Sequence, residues 1–146
     1  MRMPILTKIA AVAALAVPAL IALPGTAQAS TPSGCSSVTQ IGSTAYLNVG
    51  GETFASVKQY KGCGKNYSYL YVWQSYRSSH SSWDECAAIV TNGGHDVQDP
   101  MCGHNDVEIW SSGAATLSQC TQALGFNGTG PIPYPGDVAV KTDVRC

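Results

Sequence analysis

The chain predicts a mainly β or all-β domain stapled by disulfides: a small antiparallel sheet, sandwich or barrel with room for one short helix. Three observations predict it. Charged residues make up only 12% of the 146 residues, about half the usual ~25% of a globular chain, which excludes a highly charged disordered segment. All six cysteines follow a secretory leader. Beyond that leader, short alternating segments are separated by Gly, Asn, Ser and Pro clusters, the pattern of consecutive strands and turns.

The leader is read from three parts in order. Arg2 and Lys8 give a basic start, Ile9 to Leu23 an apolar run, and Ala27-Gln28-Ala29 a small-residue end. This is the layout of a signal peptide, with cleavage expected between Ala29 and Ser30. A transmembrane anchor needs about 20 apolar residues, and this run is shorter and carries Pro18. Residues 1–29 are therefore assigned to the leader. Residues 30–146 form a single secreted domain, expected to be extracellular and free of the membrane.

The mature chain keeps six bases against nine acids, a net charge of −3. It has no Lys/Arg cluster, which excludes a basic nucleic-acid binder. Cys35, Cys63, Cys86, Cys102, Cys120 and Cys146 are even in number, and in a secreted chain they read as a disulfide framework whose connectivity stays open. Their spacings of 28, 23, 16, 18 and 26 residues contain no close C-x-x-C pair of the kind zinc sites use. No metal and no cofactor are expected.

The elements follow in order. Thr44 to Val49 is a strand stopped by Gly50-Gly51, and Glu52 to Tyr60 is the next. Lys61 to Asn66 is a turn cluster. Tyr67 to Arg77, dense in Tyr, Leu, Val and Trp, is the clearest strand and forms a hairpin with its predecessor. Trp83 to Thr91 is a further strand that returns after that hairpin, ended by Asn92-Gly93-Gly94, and Asp106 to Ser112 and Val138 to Arg145 complete the set. Ala114 to Leu124 is open between a short helix and a strand. Leu117, Cys120, Thr121 and Leu124 lie at helical spacing, with Gly125 placed to end a helix, whereas Thr116, Ser118 and Thr121 weaken one. Phe126 to Gly136, with three Gly and three Pro, is a loop.

Two segments stand out as candidate binding elements. Tyr67, Tyr69, Tyr71 and Trp73 fall on one face of their strand, opposite Leu70 and Val72. Such a ladder either grips a protein or a sugar, or packs across strands. The loop Pro131-Ile132-Pro133-Tyr134-Pro135 presents two apolar side chains on a stiffened backbone, which lowers the ordering cost of binding. Ser30 to Gly34 is read as a frayed end or a segment that inserts into a partner.

Catalytic signatures are absent from the sequence. His95 to Asp106 gathers two His and three Asp in what reads as a solvated loop, at a spacing that matches neither H-E-x-x-H nor an EF-hand. There is no G-x-S-x-G. His80 sits in a serine-rich turn, and Glu52, Glu85 and Glu108 lie on separate strands with nothing tying two of them into a glycosidase pair. Asn66-Tyr67-Ser68 and Asn127-Gly128-Thr129 match the glycosylation sequon.

Glu52 to Tyr60, Cys63 to Lys65 and Tyr67 to Ser75 together resemble small secreted, cysteine-containing proteins of Streptomyces and relatives, over about 25 residues. Some proteins of this kind are adaptor subunits of umbrella-shaped toxin particles. The resemblance implies a β-rich, non-catalytic adaptor that joins a lectin to a toxin-bearing scaffold, so its partners would be other secreted proteins. No functional residue of that family transfers to a position here. The chain lacks the two-bridge spacing of subtilisin-inhibitor-like proteins. Secreted hydrolase inhibitor, carbohydrate-binding module and small hydrolase are the rival readings.

Overall fold

A computed structural model describes residues 30–146, so the leader assigned to residues 1–29 lies outside the described residues. The first hairpin joins β1 (Thr39–Val49) to β2 (Glu52–Gly62). Val49 pairs with Glu52, leaving Gly50 and Gly51 as a two-residue turn with φ of 60° and 85°. Both positions need a positive φ to follow the strand twist, and glycine supplies it without steric cost. The second hairpin, from β2 to β3 (Lys65–Val72), repeats the device with Cys63 and Gly64 at φ of 50° and 73°. Here a non-glycine residue takes the left-handed conformation, and its disulfide to Cys35 anchors it.

The strand predicted over Tyr67 to Arg77 ends at Val72, and Gln74–Ser79 form the short helix α1. The reason is Tyr76. Turning the chain drives this side chain inward, edge-on to Phe54 at 4.8 Å between ring centroids. Arg77 then reaches back and donates from Nε to the Val72 carbonyl at 3.2 Å. Among the described residues, the one α-helix is therefore here. Ala114 to Leu124 contains none: it turns, bridges back to Asn66 through Ala114, and only its end enters a strand.

The remaining strands are β4 (Asp84–Thr91), β5 (Asp96–His104), β6 (Glu108–Trp110), β7 (Gln122–Phe126) and β8 (Ala139–Lys141). Two four-stranded sheets result, in the orders β1-β2-β3-β6 and β5-β4-β7-β8. All named pairs are antiparallel. β5 occupies the segment that reads as a solvated loop. It is an edge strand, so it tolerates Pro100 and turns most of its polar side chains to water while its backbone pairs with β4.

The core between the sheets is built from Leu47, Val57, Leu70, Val72, Ala87, Ile89 and Ala123. β4 is buried along both faces, which explains its unbroken Cys-Ala-Ala-Ile-Val run. Its other face packs Cys86, Ala88 and Val90 with Leu124 and Phe126. Gly125 brings β7 close to the first sheet. A Cβ there would overlap Val57 and come within 3.1 Å of Leu70 Cδ1.

One end of the interior is polar. Gln59 donates from Nε2 to Thr121 Oγ1 at 2.6 Å, and Asn66 from Nδ2 to Thr116 Oγ1 at 3.0 Å. Ser68 crosses from β3 to the Leu124 carbonyl at 3.0 Å. Asn66 is buried here, so the first sequon is closed to a glycan. The disulfides pair Cys35 with Cys63, Cys86 with Cys102, and Cys120 with Cys146, and no described cysteine is free.

Candidate functional site

The two candidate binding elements fare differently. Pairing across the first sheet sets Tyr46, Ser56, Tyr71 and Glu108 in one row of its outer face, and Lys58, Tyr69 and Trp110 in the next. The aromatic ladder is thus on the side away from the inter-sheet core, but it is not bare. Trp110 from β6 packs on Tyr69 at 4.6 Å and Tyr60 at 5.0 Å, and it meets Tyr67 edge-on at 6.3 Å between centroids. Tyr67 and Tyr69 are buried as a result. Tyr71 is half-buried beneath Arg77, whose guanidinium carbon stands 6.0 Å from the ring centroid. Only Trp73, at the entry to α1, is exposed, with Tyr46 beside it at 6.2 Å.

Part of this cover comes from the start of the described chain. Ser30 Oγ donates to Glu108 Oε1 and accepts from Trp110 Nε1 at 3.1 Å. Pro32 is buried, and its carbonyl accepts the Cys35 N–H at 3.1 Å. Glu108 accepts a further bond from the Tyr69 hydroxyl at 2.6 Å. Burial, together with that carboxylate, pushes the Tyr69 hydroxyl well above the ordinary tyrosine range. The segment read as a frayed end is therefore seated on the sheet.

The proline-rich loop keeps the features expected of it. Ile132 and Tyr134 are 47% and 52% exposed. The loop is closed at its base by Asp137, whose Oδ2 accepts the Tyr134 N–H at 2.8 Å while its own N–H donates to the Tyr134 carbonyl at 3.0 Å. The Tyr134 ring lies over Gly130. Beneath them, the Gly128 and Gly130 carbonyl oxygens rest 3.1 Å from Cys86 Sγ and 3.0 Å from Cys102 Sγ. A disulfide joining two directly paired strand residues thus forms the floor of the loop.

The His95–Asp106 segment keeps its two histidines at opposite ends. His95 follows the short turn at Asn92–Gly94 just before β5, His104 ends β5, and His104 pairs at the surface with Asp84, 2.7 Å from Nδ1 to Oδ1. Among the described residues no cluster of three His, Cys, Asp or Glu side chains is arranged to hold a metal ion. His80 stacks on Tyr76 at 3.8 Å. No helix among the described residues is long and apolar enough to cross a membrane.

Glu85 is the one carboxyl with no solvent exposure. Burial lifts it to about 7, and the Asp106 backbone N–H, donated to Oε1 at 3.0 Å, offsets only part of that. The carboxylates of Asp106 and Asp84 raise it further, and His104 lowers it.

A cleft of about 490 Å³, which the sequence did not announce, lies between β1 and the C-terminal segment. Gln40, Lys61, Asn66, Gln119, Thr121 and Arg145 supply its polar lining. These residues come from separate stretches of chain, so no local motif marks them. Compared with known protein families, with curated proteins and with solved structures, the chain matches none.

Proposed function

We propose that this chain is a secreted, non-catalytic domain that binds another secreted protein, and that it works as an adaptor in a secreted antibacterial toxin complex. One observation carries the binding reading: the 130–136 loop holds Ile132 and Tyr134 in solvent on a base already fixed by Asp137 and by the Cys86–Cys102 bridge. Apolar side chains presented on a pre-ordered backbone lose little freedom when a partner covers them. The adaptor form of the reading rests on the resemblance over Glu52 to Ser75.

The same loop favours a second reading, a secreted inhibitor of an extracellular hydrolase, since rigid exposed loops also suit enzyme clefts. Purification of the tagged chain from native culture medium, followed by gel filtration and mass spectrometry, separates the two. An adaptor elutes in a large assembly with non-enzymatic subunits, and an inhibitor elutes with a single hydrolase. Elution alone, or substrate turnover by the purified chain, overturns the proposal.

A further inference from the structure

The seat of Ser30 carries an inference that rests on reading the chain as exported. Its hydroxyl lies between the Glu108 carboxylate and the Trp110 indole N–H. Within one serine, N and Oγ are at most about 4 Å apart by standard bond lengths. The backbone nitrogen of Ser30 therefore lies within roughly 6–7 Å of the Glu108 carboxylate. We infer that hydrolysis of the Ala29–Ser30 bond creates an α-ammonium that pairs with Glu108 and fastens residues 30–35 across the outer aromatic face.

The step consumes one water. The amide bond breaks, the new carboxyl stays on Ala29 with the leader, and the new amine on Ser30 takes up a proton at neutral pH. Before cleavage the same nitrogen is a neutral amide. Processing thus changes the charge near Glu108 by one unit.

The surroundings suit a cation. Glu108 faces the Tyr69 hydroxyl, and Tyr71 is its register partner on β3. Trp110 lies two residues on along its own strand. The cations on this face stand apart: Arg77 is engaged with Tyr71 and the Val72 carbonyl, Lys58 is separated from Trp110 by Tyr69 in the sheet, and Lys65 stands at the start of β3, paired with Gly62 beside the turn. At the other end of the segment, Pro32 is buried and Cys35 is bonded to Cys63, so only the first residues need an added tether.

The test uses the 30–146 chain prepared with a native Ser30 amine by removal of an N-terminal fusion, and oxidised to three disulfides. Its α-amine is labelled with ¹³C-methyl groups and titrated by NMR. The expected midpoint lies about half a pH unit above that of Glu108→Gln, as an opposite charge nearby predicts. N-acetylation of Ser30 in the unmodified sequence, which removes the charge without touching Glu108, is expected to red-shift the tryptophan emission as the segment lifts from Trp110. Equal midpoints in the two proteins, or unchanged emission on acetylation, overturn the pairing and leave the export reading standing. Mass spectrometry of the exported protein tests the other half. A Ser30 start supports it, and any other start overturns the processing step while leaving the measured pairing intact.

Discussion

The Glu85 carboxylate accepts the Asp106 backbone N–H at 3.0 Å from a position with no solvent exposure, and its other oxygen has no protein partner. This makes stability depend on pH in a definite direction. Burial raises the folded-state carboxyl from 4.5 to about 7, so the native state holds the proton more tightly than the unfolded chain. Its contribution is fully present below about pH 4.5 and is lost as pH rises through about 7, up to roughly 3 kcal/mol in all. Glu85→Gln removes the titration and is expected to flatten this part of the profile. Urea midpoints of both proteins from pH 4.5 to 8 check it; parallel profiles would reject the assignment.

Gly125 brings β7 against the side chains of the first sheet. Gly125→Ala forces a methyl group into Val57 and Leu70. The expected loss is about 1–3 kcal/mol, the usual cost of overpacking a fixed core. A thermal midpoint lowered by several degrees with the far-ultraviolet spectrum retained is the predicted result.

Gln59 donates to Thr121 inside the protein, and its own carbonyl oxygen has no protein partner. Thr121→Val strands the buried amide and is expected to cost about 1–3 kcal/mol. Adding Gln59→Met removes the stranded group and should recover most of that loss. A double-mutant cycle by chemical denaturation measures the recovery; additive losses would show that the pair is not coupled.

Ile132 projects from the loop without supporting it, whereas Tyr134 also covers Gly130. Ile132→Ala is expected to weaken partner retention by roughly tenfold or more, as truncation of an anchoring side chain does. Its stability should stay within about 0.5 kcal/mol, as for surface changes generally. Calorimetry of binding and of unfolding on the same sample reads both.

Sequence reasoning reached the fold class because each strand that packs on one side declares itself by alternation. That Leu70 and Val72 share one face and Tyr69 and Tyr71 the other was legible from their spacing, but whether the aromatic face is core or surface was not. β5 was not. An edge strand turns polar residues to water, so Asp96 and His104 look like a loop although their backbone pairs with β4, and Asp99, with a φ of 49°, sits at an irregularity in the ladder. The break after Val72 was hidden for another reason: it is decided by Tyr76 meeting Phe54, a contact between residues 22 positions apart. The exposed loop could be named in advance because proline acts locally. The burial of Tyr67 and Tyr69 could not, because Trp110 arrives from a strand far along the chain.

The three bridges join each cysteine to the next one in order, and none encloses another. A chain emerging amino-end first into an oxidising space can seal each ring before the following pair has appeared. Joining neighbours in their order of arrival yields the native set directly. Such a topology has little need of reshuffling, which takes seconds to hours when it is required.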